Sequence, residues 1–178
     1  MYAREVHKLM RRRFVPFLHE HGFSAERAGA GGSWTRVVGD DCAITLGYSL
    51  GVGCWQGVGG ELELVASVQR AGRTLAWLRH SGDLLEGVRR ERYRAAACEL
   101  LARILDQDDL EGLAADLLQG QRDELAGQLA RTQQEPDYLP PWRYQHADDV
   151  VRWCRLVAPA VPEMSQRLER VLRNSETA

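Results

Sequence analysis

The hydrophobic period changes between Val6 and Gln69, and that change does most to restrict what this chain can fold into. Val6, Leu9, Met10, Phe14, Phe17, Leu18 and His21 recur at helical spacing and mark one apolar stripe. Pro16 lies inside the stripe. It lacks a backbone donor and would cost about 3 kcal/mol in a regular helix interior, so a kink or a restart with Pro16 in a first turn is expected. Gly22 suits the residue just past a helix end, with Phe23 folding back as its apolar contact. Ser24 to Gly32 reads as a small polar loop. From Trp34 the period becomes two. Trp34–Val38 is a strand, Gly39-Asp40-Asp41 a turn and Cys42–Leu50 a second strand, with Ile44, Leu46, Tyr48 and Leu50 on one face. Gly51 to Gly60 holds five glycines and is expected to be a flexible or bulged loop. Glu61–Arg70 is a third strand with Leu62, Leu64, Ala66 and Val68 inward. After an Ala71-Gly72 turn, Arg73–Arg79 adds a fourth strand with Leu75 and Trp77 on one face.

Beyond Leu84 the spacing is helical again. Leu85–Leu105 reads as a long helix, and Asp108 followed by Glu111 resembles a capping box. The next helix sets Leu110, Leu113, Ala114, Leu117, Leu118, Leu125 and Leu129 on one side. Gly112, Gly120 and Gly127 fall within it, each costing about 1 kcal/mol relative to alanine, so it needs a packing partner. Glu135–Tyr144, with Pro136, Pro140 and Pro141, is a break. Two shorter helices follow near Asp148–Val157 and Glu163–Arg173, separated by Pro159 and Pro162. The expected fold class is α+β: an antiparallel sheet of about four strands with an N-terminal helix and a C-terminal helical half. Residues 1–80 and 84–174 are read as the two parts of one compact domain.

The net charge of −2 conceals an asymmetry: residues 1–98 carry +4 and residues 99–178 carry −6. A nucleic-acid binder is usually strongly basic, and this chain is not, so no nucleic-acid partner is expected. Arg11-Arg12-Arg13 is a local basic patch, but consecutive helical residues point about 100° apart and do not form one face. Cys42, Cys54, Cys98 and Cys154 are widely spaced, without zinc-like spacing. No apolar run approaches the roughly 20 residues of a membrane span. Charged residues interrupt the N-terminus where a signal core would lie. A cytoplasmic protein with free thiols is the expectation, with no membrane association.

The segment FVPFLHEHGFSAERAGAGGSWTRVVGDDCAITLGYS, followed by ELELVASVQ, resembles the family of domains of unknown function numbered 4304. Gly22-Phe23 matches its helix end, Trp34 its strand aromatic, and Leu62 and Leu64 the apolar side of its later strand. Tyr48-Ser49 stands near its Gln-x-Ser position, with Gly47 in place of the glutamine. The likeness spans residues 7–70 and implies an α+β fold without an established chemistry. Bacterial proteins of this size and look include toxin-neutralising immunity proteins, which is an analogy of fold and size.

Several constellations invite a chemical reading. Gly47-Tyr48-Ser49-Leu50-Gly51 spells G-x-S-x-G, which needs a strand-to-helix turn exposing the serine. Val52–Gly60 has no helical period, and His80 or His146 would be only nominal triad partners, so no catalytic residue is assigned. The glycine-rich loop lacks the Gly-Lys-Ser/Thr ending and the following helix of a phosphate cradle. His19 and His21 point about 200° apart on a helix and cannot share a cation, so neither a metal nor a cofactor is expected.

What remains is binding. Trp55 and Trp142 lie in expected loops and are candidate exposed anchors for a partner. Asp106, Asp108, Asp109 and Glu111 favour a helix N-terminus and also form a candidate acidic docking face. The expected function is therefore non-enzymatic binding of another protein, immunity- or inhibitor-like, with a toxin as the concrete partner. One rival is a small-molecule sensor whose pocket is lined by Tyr48, Ser49 and Trp77. A second is a serine hydrolase using Ser49, and a third is a homodimer through the leucine-rich face of residues 110–129.

Overall fold

The computed structural model describes residues 3–25, 32–55, 59–78, 84–107 and 115–174, with residues 52–55, 59, 77 and 115–118 described by backbone alone. The N-terminal apolar stripe forms two helices, α1 (Ala3–Arg13) and α2 (Val15–Glu20). The break falls at Phe14, and Pro16 takes up a first-turn position in α2, where its missing N–H has no intrahelical partner to lose. α2 ends as its sequence predicts. Gly22 has φ +79°, the Phe23 amide donates to the Leu18 carbonyl at 3.0 Å and the Gly22 amide to that of His19 at 3.0 Å. This pair of bonds defines a Schellman cap, and Phe23 is buried against the core.

The sheet has six strands: β1 (Ser24–Ala25), β2 (Gly32–Gly39), β3 (Cys42–Trp55), β4 (Gly59–Arg70), β5 (Arg73–Leu78) and β6 (Trp142–Tyr144). The spatial order is β1-β2-β3-β4-β5, with β6 beside the first part of β4, and every pairing is antiparallel. The two strands beyond the expected four are short: β1 lies in the expected polar loop and β6 in the proline-rich break. The expected loop at 51–60 is shorter than the glycine content suggests. β3 runs on to Trp55, which pairs with Gly59 after an irregularity beyond Gly51.

Register follows the alternating pattern. Ile44 faces Val68, Leu46 faces Ala66, Tyr48 faces Leu64 and Leu50 faces Leu62; all are buried except the partly buried Leu50. The expectation for β5 holds less well. Val68 pairs with Ala76 and Gln69 with Thr74, so Leu75 is the extra residue of a bulge and is exposed.

Four helices cover the sheet or one another: α3 (Gly87–Leu105), α4 (Ala115–Gln134), α5 (Ala147–Val157) and α6 (Val161–Asn174). A single turn of 3-10 helix at Ala158–Ala160 joins the last two. α6 packs on β3 and β4, α1 on α5, and α3 on α4. One hydrophobic cluster runs from Val6 on α1 through the sheet to Leu172 on α6, and so contains residues from both halves of the chain. Arg36 on β2 ties the sheet to α6 by pairing with Glu169 while its guanidinium lies over Phe23, 5.2 Å from the ring centre.

Candidate anion-docking face on the first helix

α1 buries Val6 and Met10 completely and turns Arg4, Lys8, Arg11 and Arg12 to solvent. These cations stand at i, i+4, i+7 and i+8, the spacing that aligns side chains along one helix face. Among the described residues no carboxylate pairs with any of the four. Elsewhere arginines are used differently: Arg36, Arg89, Arg103, Arg131, Arg143, Arg152 and Arg167 all meet a carboxylate. The outer face of α1 is thus a concentration of charge that no described carboxylate pairs.

Two clefts flank this face and share Lys8 and Arg12. The first, about 540 Å³, is lined by Arg4, His7, Lys8, Arg11 and Arg12. The second, about 490 Å³, is lined by Glu5, Lys8, Leu9 and Arg12 together with Gln145, His146 and Ala147 at the start of α5. Among the described residues, cations therefore bound the first cleft without a carboxylate, whereas Glu5 lines the second.

His7 anchors the first cleft to the sheet. Its Nδ1 lies 2.7 Å from the Tyr48 hydroxyl, and the two rings are 5.6 Å apart. Tyr48 is 3% exposed and stacks on Trp34 at 5.9 Å. Burial raises the Tyr48 pKa above its ordinary value, against a smaller lowering by Arg11, so the phenol keeps its proton at neutral pH. A buried hydroxyl needs a hydrogen-bond partner, and His7 Nδ1 is the one beside it.

The wall of the second cleft is held by a buried carboxylate. Asp149 Oδ2 accepts from the amides of Gln145 at 2.9 Å and His146 at 3.0 Å, and Arg103 donates to both carboxylate oxygens at 2.8 and 2.9 Å. Burial alone would raise the Asp149 pKa, but these amide and guanidinium bonds outweigh it and leave the pKa below the usual value. The Asp149 carbonyl also accepts from Trp142 Nε1 at 3.0 Å. His146 is therefore held at the start of α5 by the bond from its amide to the Asp149 carboxylate.

The sequence-derived candidates fare unevenly. Trp142 is fully buried in β6, packed beside Tyr93 at 5.3 Å, and is not an exposed anchor. Its loop-like surroundings hid a strand because prolines on its N-terminal side dominate the local signal. Trp55 belongs to β3 rather than to a loop, and its side chain lies outside the described residues, as does that of Trp77 in β5. Asp106 is exposed at the C-terminal end of α3, not at a helix start. Asp108, Asp109 and Glu111, and with them the expected capping box, lie outside the described residues. Ser49 pairs with Glu63 within β3, and the strand continues past Leu50, so the strand-to-helix turn that G-x-S-x-G requires is not formed. Tyr48 borders a described cleft only through His7, and is closed in by Trp34 on the same sheet.

The cysteines differ in environment. Cys154 is buried, its thiol pushed up to about 12 chiefly by burial, and it lies 3.6 Å from the Met10 sulfur. Cys42 and Cys98 are half-buried and free. Among the described residues no three His, Cys, Asp or Glu side chains converge on a metal-sized site, and no helix is long and apolar enough to cross a membrane. Sequence reading passed over the α1 face because it considered Arg11, Arg12 and Arg13 as neighbours. The signal was the i, i+4, i+7 spacing that begins at Arg4. No family model, curated protein or solved structure matches this chain.

Proposed function

We propose that this chain is a non-enzymatic protein-binding module, immunity- or inhibitor-like, that docks an acidic protein partner on the outer face of α1. The observation that carries this reading is the row of four exposed cations, without carboxylate partners among the described residues, on a helix that buries Val6 and Met10 on its other side. A rigid helix presents such charges at fixed spacing, which favours rapid encounter with a complementary surface and penalises a wrong one. The likeness of residues 7–70 to a family of domains without established chemistry agrees with binding rather than turnover. Free half-buried thiols fit a reducing bacterial cytoplasm.

Co-expression with the products of neighbouring genes tests the proposal. A complex that persists through size exclusion, and that is lost in Lys8→Glu/Arg11→Glu, is expected. A complex indifferent to that reversal, or turnover of a small substrate without any complex, would overturn it.

A further inference from the structure

We propose that the first cleft beside α1 reads a phosphoryl group carried on a side chain of the docked protein. The inference rests on the anion-docking reading of this face and narrows the anion. Arg4, Lys8, Arg11 and Arg12 supply guanidinium and ammonium donors around one cleft of about 540 Å³, and His7 adds an imidazole held in place by the sheet. A carboxylate offers one charge and two oxygens, which leaves most of these donors unanswered. A phosphoryl group brings nearly two charges and three acceptor oxygens, and guanidinium groups match it in forked geometry. The carboxylate-bearing second cleft, with Glu5 in its lining, is the poorer place for a dianion.

The buried Tyr48 hydroxyl is the independent sign that the cleft is built rather than incidental. The phenol is 3% exposed, stacked on Trp34, and shares a hydrogen bond with His7 Nδ1. That contact holds the imidazole in place where it lines the cleft. Tyr48 and Trp34 are positioning residues: they act on the anion only through His7.

The location favours a group presented by a protein. A small ligand is typically held by enclosure, with about 70–90% of its surface buried. The cations here are exposed along a helix of 11 residues, a surface suited to a projecting side chain. A nucleic-acid backbone would call for a broader basic footprint than one short helix on a molecule of net charge −2.

The test uses the full chain labelled with nitrogen-15, with the imidazole signals of His7 followed at constant ionic strength. Three probes are compared: a short Gly/Ser peptide bearing one phosphoserine, the same peptide with glutamate there, and an oligothymidylate. The phosphopeptide should shift the His7 Nε2 signal saturably and bind about tenfold more tightly than the glutamate peptide, as charge-assisted forked bonds allow. Arg11→Ala, an exposed change that leaves the core alone, should weaken it by about tenfold. Tyr48→Phe should change the nitrogen shifts that report the His7 tautomer and weaken phosphopeptide binding severalfold, with an unchanged circular dichroism spectrum. Equal binding of both peptides would overturn the phosphoryl assignment and leave anion docking standing. No response to either peptide would overturn both. Tighter binding of the oligothymidylate would overturn the assignment in favour of a nucleic acid.

Discussion

Asp149 shows how one side chain can organise a neighbourhood. It closes the first turn of α5, holds Arg103 of α3 and, through its carbonyl, the indole of the buried Trp142. Asp149→Asn keeps the shape but removes the charge that these donors face, and should lower stability by about 1–2 kcal/mol at neutral pH. The sign of the pH effect follows from its lowered pKa. The ionised carboxylate stabilises the folded state above the unfolded carboxyl pKa, and the contribution is lost as pH falls through the lower folded value. Urea denaturation of both proteins from neutral to strongly acidic pH should therefore show the gap closing on acidification. Gly47 is the other informative residue. A methyl there would press into the backbone carbonyl of Gly32 and come within 3.1 Å of the Ser33 Cα, so β2 would have to move. Gly47→Ala should cost about 1–3 kcal/mol, measured by the same method.

At the level of elements, local chemistry written into the sequence decided most boundaries. Pro16 restarts a helix, Gly22 ends it, and Ala71 and Gly72, with φ of +46° and +74°, turn β4 into β5. The alternating residues of β3 and β4 were legible because both strands bury one face under helices, so period two survives intact. β6 was not legible. Its three residues are all buried and pair with Gly60–Leu62, some 80 positions away, a contact that no local pattern encodes. The bulge at Leu75 likewise reflects pairing with β4 and not the sequence of β5 alone. α4 was legible as a helix despite its glycines, and it is weakened by them. Gly120 and Gly127 would each accept a methyl with no atom within 4 Å. Gly120→Ala/Gly127→Ala should stabilise by about 0.5–1 kcal/mol per site, raising Tm by a few degrees in calorimetry.

The molecule as a whole divides its charge between structural and unused roles. Arg143 is 8% exposed and meets both Glu61 at 2.5 Å and Glu124 at 3.2 Å, which joins β6 to β4 and α4. Arg36 joins β2 to α6. The cations of α1 join nothing within the described residues. The net charge of each half could be read from the sequence, but which arginines remain unpaired could not, because pairing partners lie 133 positions apart for Arg36 and 46 for Arg103. His7 and Tyr48, 41 positions apart, likewise meet only in the tertiary fold, which brings α1 to the Tyr48 hydroxyl of β3.

The most direct test of the docking face is calorimetric titration of the intact protein with poly-L-glutamate at low and at high salt. Saturable binding that weakens as salt rises is expected, with loss of binding in Arg4→Ala/Lys8→Ala/Arg11→Ala/Arg12→Ala and its retention in the exposed-arginine control Arg155→Ala/Arg173→Ala. Equal binding by the two variants, or none by the parent protein, would contradict the account.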